Sequence, residues 1–155
     1  MGNECTVGGT GDPYNLARFV DAQKDDYAQA LAEIRRGRKQ SHWMWYVFPQ
    51  FAGLGSSAAS REYSIKSLEE ARAYLDHPVL GPRLLECAEA LLKIRDRSAR
   101  DILGFPDDLK LRSCATLFAS VSPPESVFDR LLDRFFRGEQ DARTLALAGI
   151  APESR

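Results

Sequence analysis

Residues 38–55 read RKQSHWMWYVFPQFAGLG. Two tryptophans, a tyrosine, two phenylalanines, a methionine and a histidine fall within positions 42–51, directly behind a basic cluster. Neither helical nor strand periodicity survives here, because every position from Trp43 to Phe48 is apolar or aromatic. Such a run is buried on both sides in either conformation, so its neighbours decide. Those neighbours carry helical patterns. The segment 42–48 is therefore read as a short helix, capped by Ser41 and ended by Pro49. That reading makes the domain all-α.

Upstream, Asp12-Pro13 sets a capping side chain before a proline at the first helical position. Leu16, Phe19, Val20, Gln23, Tyr27, Ala30, Leu31 and Ile34 then recur at helical spacing as far as Gly37. A closing glycine and the basic pair Arg35 and Arg36 suit a helix C-terminus. Downstream, residues 51–60 (FAGLGSSAAS) are small and Gly/Ser-rich, the composition of a loop. Ser67-Leu-Glu-Glu70 is a capping-box signature, and His77-Pro78 stops the helix it opens. Pro82, Ser98, Pro106-Asp-Asp108, Ser122-Pro-Pro-Glu125 and Asp141 open further helices, two of them closed by Gly104 and Gly138. No alternating strand, hairpin turn or internal repeat appears. The expectation is one compact all-α domain of seven or eight helices and no sheet over residues 12–150. Residues 1–11 are expected to be a disordered leader and 151–155 a disordered tail.

Composition narrows the function classes. The chain is 155 residues long, 44% hydrophobic and 28% charged, enough for one packed core. A net charge of −1 gives no general attraction to nucleic acid or anionic membrane. Cys5, Cys87 and Cys114 are an odd set without ligand-like spacing, which suggests reduced thiols and a cytoplasmic protein. His42 and His77 lie far apart with no thiolate cluster, so no zinc site is expected, and no sequence feature implies a cofactor. No run is long enough to span a bilayer. The opening MGNECT matches an acylation pattern, with Gly2 as acceptor, Thr6 in place and Cys5 available for a second chain. A plain glycine-rich leader explains the same residues.

Four stretches identify a family. KQSHWMWYVFPQFAGLG is followed by EYSIKSLEEARAYLDHPVLGPRL, then GFPDDLKLRSCATLFA, and finally FDRLLDRFFRGEQDARTLALAG. Together these resemble the bacterial domain-of-unknown-function family 1810 over roughly residues 16–149. The resemblance implies an all-α fold and no established activity. Some members of that family carry the name calpastatin, but this chain shows nothing like a disordered inhibitor repeat.

Several residues can carry chemistry. His42 follows the expected cap, where the helix dipole favours a neutral ring able to act as base or donor. The plainer alternative is a packed histidine bonded to a backbone carbonyl. Lys39 lies beyond Gly37, where dipole complementarity no longer explains it. With Ser41 and backbone N–H groups it can hold a phosphate or carboxylate, and a desolvated lysine can act as a nucleophile. A solvated charge run accounts for it equally. Asp108, Arg112 and Thr116 fall one helical turn apart on one face, and an aspartate facing a cleft can serve as general base. Helix-start carboxylates explain Asp107 and Asp108 without function. Trp43 and Trp45 cannot easily point the same way, so one of them is expected at a pocket wall with Gln50 nearby.

The site expectation is therefore Lys39, His42 and Asp108 as catalytic residues. Ser41, Trp43, Trp45, Gln50 and Arg112 are the ligand-binding residues, and no metal is expected. The corresponding function is a small-molecule-binding protein, a hydrolase or transferase acting on a phosphorylated or nucleotide-like (ADP-ribose-type) ligand. The alternative is a non-enzymatic helical module that takes a protein partner in a groove. Nucleic-acid binding through Arg35, Arg36, Arg38 and Lys39, with Lys93, Arg95, Arg97 and Arg100, ranks last. Convergence of Lys39, His42 and Asp108 on one pocket would separate the first two readings.

Overall fold

The apolar spacing around Phe19 and Ile34 is realised as α1 (Ala17–Arg35), in a computed structural model that describes residues 11–151. The leader and tail expectations, with Gly2, Cys5 and Thr6, otherwise lie outside the described residues. The helix starts later than Asp12-Pro13 suggests, with Leu16 at the cap position. Asp12 still supplies the capping group, because its carboxylate accepts the N–H groups of Leu16 at 2.7 Å and Ala17 at 2.9 Å. At the other end Gly37 turns left-handed (φ 79°). Its N–H bonds the Ile34 carbonyl, and the Arg38 N–H bonds that of Glu33, the paired closure of a Schellman turn.

Glu33 lies on the buried side of α1 and is fully inaccessible. A carboxylate there needs donors. It receives Gln40 N (2.8 Å), Ser41 N (2.9 Å), the Ser41 hydroxyl (2.6 Å), the Trp43 indole N–H (2.9 Å) and Gln29 Nε2 (2.7 Å). Ser41 therefore does not cap the next helix, as its position suggested. That helix, α2 (Met44–Val47), has Trp43 at its cap position and no side-chain cap bond. A buried charge outcompetes a one-turn helix for the serine. Gln23, also buried, adds a second tie by donating to the Tyr46 carbonyl at 2.6 Å.

Residues 51–60 are only partly a loop. Ala52 N and Ile65 N form a parallel bridge with Ile65 O and Gln50 O, each at 2.8 Å. Ser57 then caps α3 (Ala58–Glu62) by accepting the Ser60 N–H. One serine cap ahead of two alanines outweighed the Gly/Ser composition. This extra helix gives nine among the described residues where seven or eight were expected.

Ser67 opens α4 (Leu68–Asp76), but only half of the capping box forms. Glu70 is drawn to Lys66 N at 2.9 Å and to Arg18 in a nearly buried ion pair at 2.8 Å. The rest follows as α5 (Leu80–Leu92), α6 (Ala99–Leu103), α7 (Asp107–Ser120), α8 (Val127–Phe136) and α9 (Ala142–Ala148). Ser98 and Asp101 complete a full capping box on α6. The α8 cap is Ser126 rather than Ser122, after Glu125 turns left-handed at φ 64°.

Helix α7 is the hub, packed on α4, α6, α8 and α9. A line of rings, Phe19–Tyr74–Phe118–Phe128, crosses the core at centroid spacings of 5.1, 5.4 and 5.6 Å. Gly81 permits α5 to meet the end of α4, since a Cβ there would lie 2.0 Å from the Leu75 carbonyl oxygen. Cys87 and Cys114 are buried free thiols, and burial pushes Cys87 up to about 12. Among the described residues, no helix is long and apolar enough to cross a membrane.

Burial alone would raise the Glu33 carboxyl. The hydrogen bonds from Ser41, Gln40 and Gln29 outweigh it and hold the group well below the ordinary carboxylate value of 4.5. Its stabilisation is thus fully present above pH 4.5 and is lost as pH falls toward the folded-state value. Glu33→Gln should cost about 3 kcal/mol at pH 7 in urea unfolding. The gap from wild type should narrow on acidification below pH 4.5. A pH-independent gap would contradict the assignment.

Candidate functional site

The turn held by Glu33 aims Lys39 at the start of α7. Its backbone N–H bonds the Ile102 carbonyl at 2.6 Å, tying this turn to α6. Its ammonium, with only 8% of the side chain exposed, pairs with Asp107 Oδ2 at 2.9 Å. The other Asp107 oxygen takes Lys110 Nζ at 3.0 Å, so one carboxylate bridges two lysines. Each ammonium also faces an indole: Lys39 lies 5.2 Å from the Trp43 ring centroid and Lys110 only 3.5 Å from that of Trp45. Cation–π attraction is strongest for tryptophan and grows as water is excluded.

The two tryptophans diverge, as their spacing required. Trp43 points inward, 1% exposed, with its N–H on Glu33. Trp45 is half-buried and forms the wall of a cleft of about 330 Å³. Opposite elements complete it. Gln50 comes from the bridged strand segment, Leu54 and Gly55 from the following loop, Lys110 and Arg112 from α7, and Asp141 and Arg143 from the start of α9. Gly55 lets the loop pass close by, because a Cβ there would sit 2.7 Å from the Ser60 Cβ. Arg112 is held at 3.1 Å by Glu139 and at 3.6 Å by Asp141. Thr116, fully buried, accepts the Asp141 N–H at 2.9 Å and donates to the Arg112 carbonyl at 2.8 Å. These bonds fix α9 against α7. Three cations and one carboxylate line the cleft, and Asp107 and Glu139 pair with two of those cations from outside the lining.

Of the eight residues expected at a site, Trp45, Gln50 and Arg112 line this cleft. Trp43 and Ser41 are bound to Glu33. Lys39 stands behind the cleft, on Asp107 rather than on Asp108. Asp108 is one residue further round α7, partly buried and outside the cleft lining. His42 is exposed and outside it too, with its carbonyl 3.2 Å from the Tyr46 hydroxyl. The three residues expected to be catalytic therefore do not converge on the Trp45 cleft. Sequence reasoning read Asp107 as a helix-start carboxylate and Lys110, with Ser113, as part of a second polar row, and placed neither of them, nor Arg143, at the site. The i,i+3 spacing of Asp107 and Lys110 was a usable signal. Glu33, a charge within the apolar face of α1, was another.

A larger open groove of about 590 Å³ lies between the start of α1 and the end of α4, with Asp12, Asp21, Asp76 and His77 among its residues. It shares nothing with the lysine–tryptophan cluster. His77 acts there as a helix stop, its Nδ1 accepting the Val79 and Leu80 N–H groups. Among the described residues, no three His, Cys, Asp or Glu side chains are grouped to hold a metal.

An all-helical domain of this fold has a solved counterpart. The chain belongs to the family "Protein of unknown function (DUF1810)", matched over residues 13–148. It is similar to the crystal structure of the conserved hypothetical protein Rv1873 from Mycobacterium tuberculosis. The two are 49% identical, with a TM-score of 0.87, over 90% of this chain and 100% of that one. No curated protein matches the chain.

The cleft's polarity is directly measurable. Iodide should quench the tryptophan fluorescence of the wild type more effectively than caesium, because Trp45 lies among cations. In Trp45→Phe, only buried Trp43 remains, and both quenchers should become weak. Equal quenching by the two ions in the wild type would contradict the electrostatic description.

Proposed function

We propose that the Trp45 cleft binds a small, anionic, planar ligand of nucleotide-like chemistry, ADP-ribose-type molecules included. The observation that carries this reading is the Lys110 ammonium 3.5 Å over the Trp45 ring, in a cleft that adds Arg112 and Arg143. The indole offers a stacking face, and the three cations offer partners for phosphate. Lys110 covers the face a base would use. A phosphate draws the ammonium aside while Asp107 keeps it within reach. At about 330 Å³ the cleft is near the small end of ligand sites, the size of one nucleoside-like group. The remainder of a larger ligand would extend past the rim.

Binding is supported better than catalysis. Hydrolysis or group transfer by Lys39, His42 and Asp108 needs groups that stand outside the cleft lining. Lys39 fits a positioning role, since it anchors the carboxylate that holds Lys110. The second reading, docking of a protein partner, has one observation in its favour. Leu109 on the cleft wall is 43% exposed, and Leu147, packed against Gly53, is 45% exposed. Apolar side chains beside a polar pocket suit an interface.

A thermal-shift panel of nucleoside monophosphates, ADP-ribose and sugar phosphates tests the proposal. A ligand at 100 times its Kd should add about 2.7 kcal/mol of stability, a rise of several degrees in Tm for a chain of this length. The shift should shrink with salt and disappear in Trp45→Ala. No shift across the panel would refute the nucleotide-like reading.

A further inference from the structure

Two basic runs, 60 residues apart in sequence, meet at one end of the molecule. The Arg97 guanidinium donates to the Gly37 and Asp101 carbonyls, each at 2.9 Å. The Lys39 N–H bonds the Ile102 carbonyl at 2.6 Å, so the turn after α1 lies against α6. From α8, Arg134 donates to the Ile94 and Arg95 carbonyls at 2.7 and 2.9 Å and supports the loop before α6. Carbonyl partners fix a guanidinium without cancelling its charge.

Some of the cations here are already answered. Lys39 is spent on Asp107, Arg35 pairs with Glu86 at 3.6 Å, and Lys93 shares a hollow with Glu86 and Glu89. Arg36, Arg38, Arg95, Arg97 and Arg100 are exposed, and the ion pairs among the described residues include none of them. The exposed carboxylates on the same loop and helix are Asp96 and Asp101, and Asp101 is held in the capping box with Ser98. Glu33 behind the turn and Arg134 under the loop add one charge of each sign. Five arginines therefore outweigh two carboxylates on this surface. Beside them Phe105 is 62% exposed, with the Arg100 guanidinium 4.9 Å from its ring centroid.

We infer that this arginine end binds single-stranded nucleic acid, with phosphates on Arg36, Arg38, Arg95, Arg97 and Arg100 and one base stacked on Phe105. Guanidinium forks match phosphate oxygens, and an exposed ring takes a base that has left its stack. A duplex keeps its bases stacked and leaves the ring unused. An anionic membrane fits less well, because it needs a band of apolar side chains beside the cations. The apolar residues of α6, Ala99, Ile102 and Leu103, are all buried. The net charge of the whole chain argued against a polyanionic partner, and the meeting of the two runs reverses that argument. The inference does not use the Trp45 cleft.

Fluorescence anisotropy of a labelled oligouridylate, alone or paired with oligoadenylate, tests it on the full chain. The single strand should bind more tightly than the duplex. Its affinity should fall with salt at a log–log slope of about −3, as expected for roughly four or five phosphate contacts. The double variant Arg36→Gln/Arg38→Gln should weaken binding about 10-fold or more and bring the slope to about −2. Phe105→Ala should weaken it about 5-fold or more and leave the slope unchanged. Arg72→Gln, which removes an exposed arginine of α4, should change neither. A duplex bound as tightly as the single strand, or no effect of Phe105→Ala, overturns the single-strand assignment. An equal loss in Arg72→Gln and the double variant means diffuse attraction and overturns the surface. Tighter binding to phosphatidylglycerol vesicles than to the oligonucleotide, or no oligonucleotide binding at low salt, also overturns the proposal.

Discussion

The Glu33 carboxylate accepts five hydrogen bonds inside the core, and the aromatic turn beside the Trp45 cleft is arranged around them. An ionised carboxylate buried without donors would be prohibitively costly. Here the chain that leaves α1 doubles back to supply them, aided by the left-handed turn at Gly37. The consequence is geometric. Once the Trp43 indole is drawn down onto Glu33, Trp45, two residues on and within the single turn of α2, projects to a different side. The same turn sends Lys39 toward α7.

From that anchor the order propagates through charge. Lys39 holds Asp107, Asp107 holds Lys110, and Lys110 covers Trp45. Lys39, Asp107 and Lys110 are each largely buried, so their ion pairs are screened less than surface ones. The relay fixes one ammonium, that of Lys110, at a cleft that also holds Arg112 and Arg143, in a protein that is nearly neutral overall. Recognition of an anion by such a protein depends on local placement, and net charge is a poor guide to it.

The helices were largely legible because their ends are marked chemically. Ser67, Ser98 and Asp141 cap where the pattern placed them, and Gly37 closes α1. Where local signals failed, a long-range partner had won. Ser41 has the chemistry of a cap but serves Glu33. Glu70 completes the capping-box motif in sequence, yet bonds Lys66 and Arg18. Only part of the expected residue set comes together. Trp45, Gln50 and Arg112 share a cleft, as their chemistry suggested. That Lys39 pairs with Asp107 and not Asp108 depends on how residues 38–43 pack against α7, and a one-residue shift around a helix turns a side chain by about 100°. No periodicity within either segment carries that information.

The central claim is that an ionised Glu33 holds the Trp43 indole and, through it, the whole aromatic turn. The most direct measurement is a proton–nitrogen NMR titration of the Trp43 indole N–H from pH 7 downward. If Glu33 is held ionised well below the ordinary carboxylate range, the resonance stays downfield, protected from exchange and unmoved through pH 4.5 until the protein unfolds in acid. A shift with a midpoint near pH 4.5, or an indole proton that exchanges freely with solvent at neutral pH, would contradict the account.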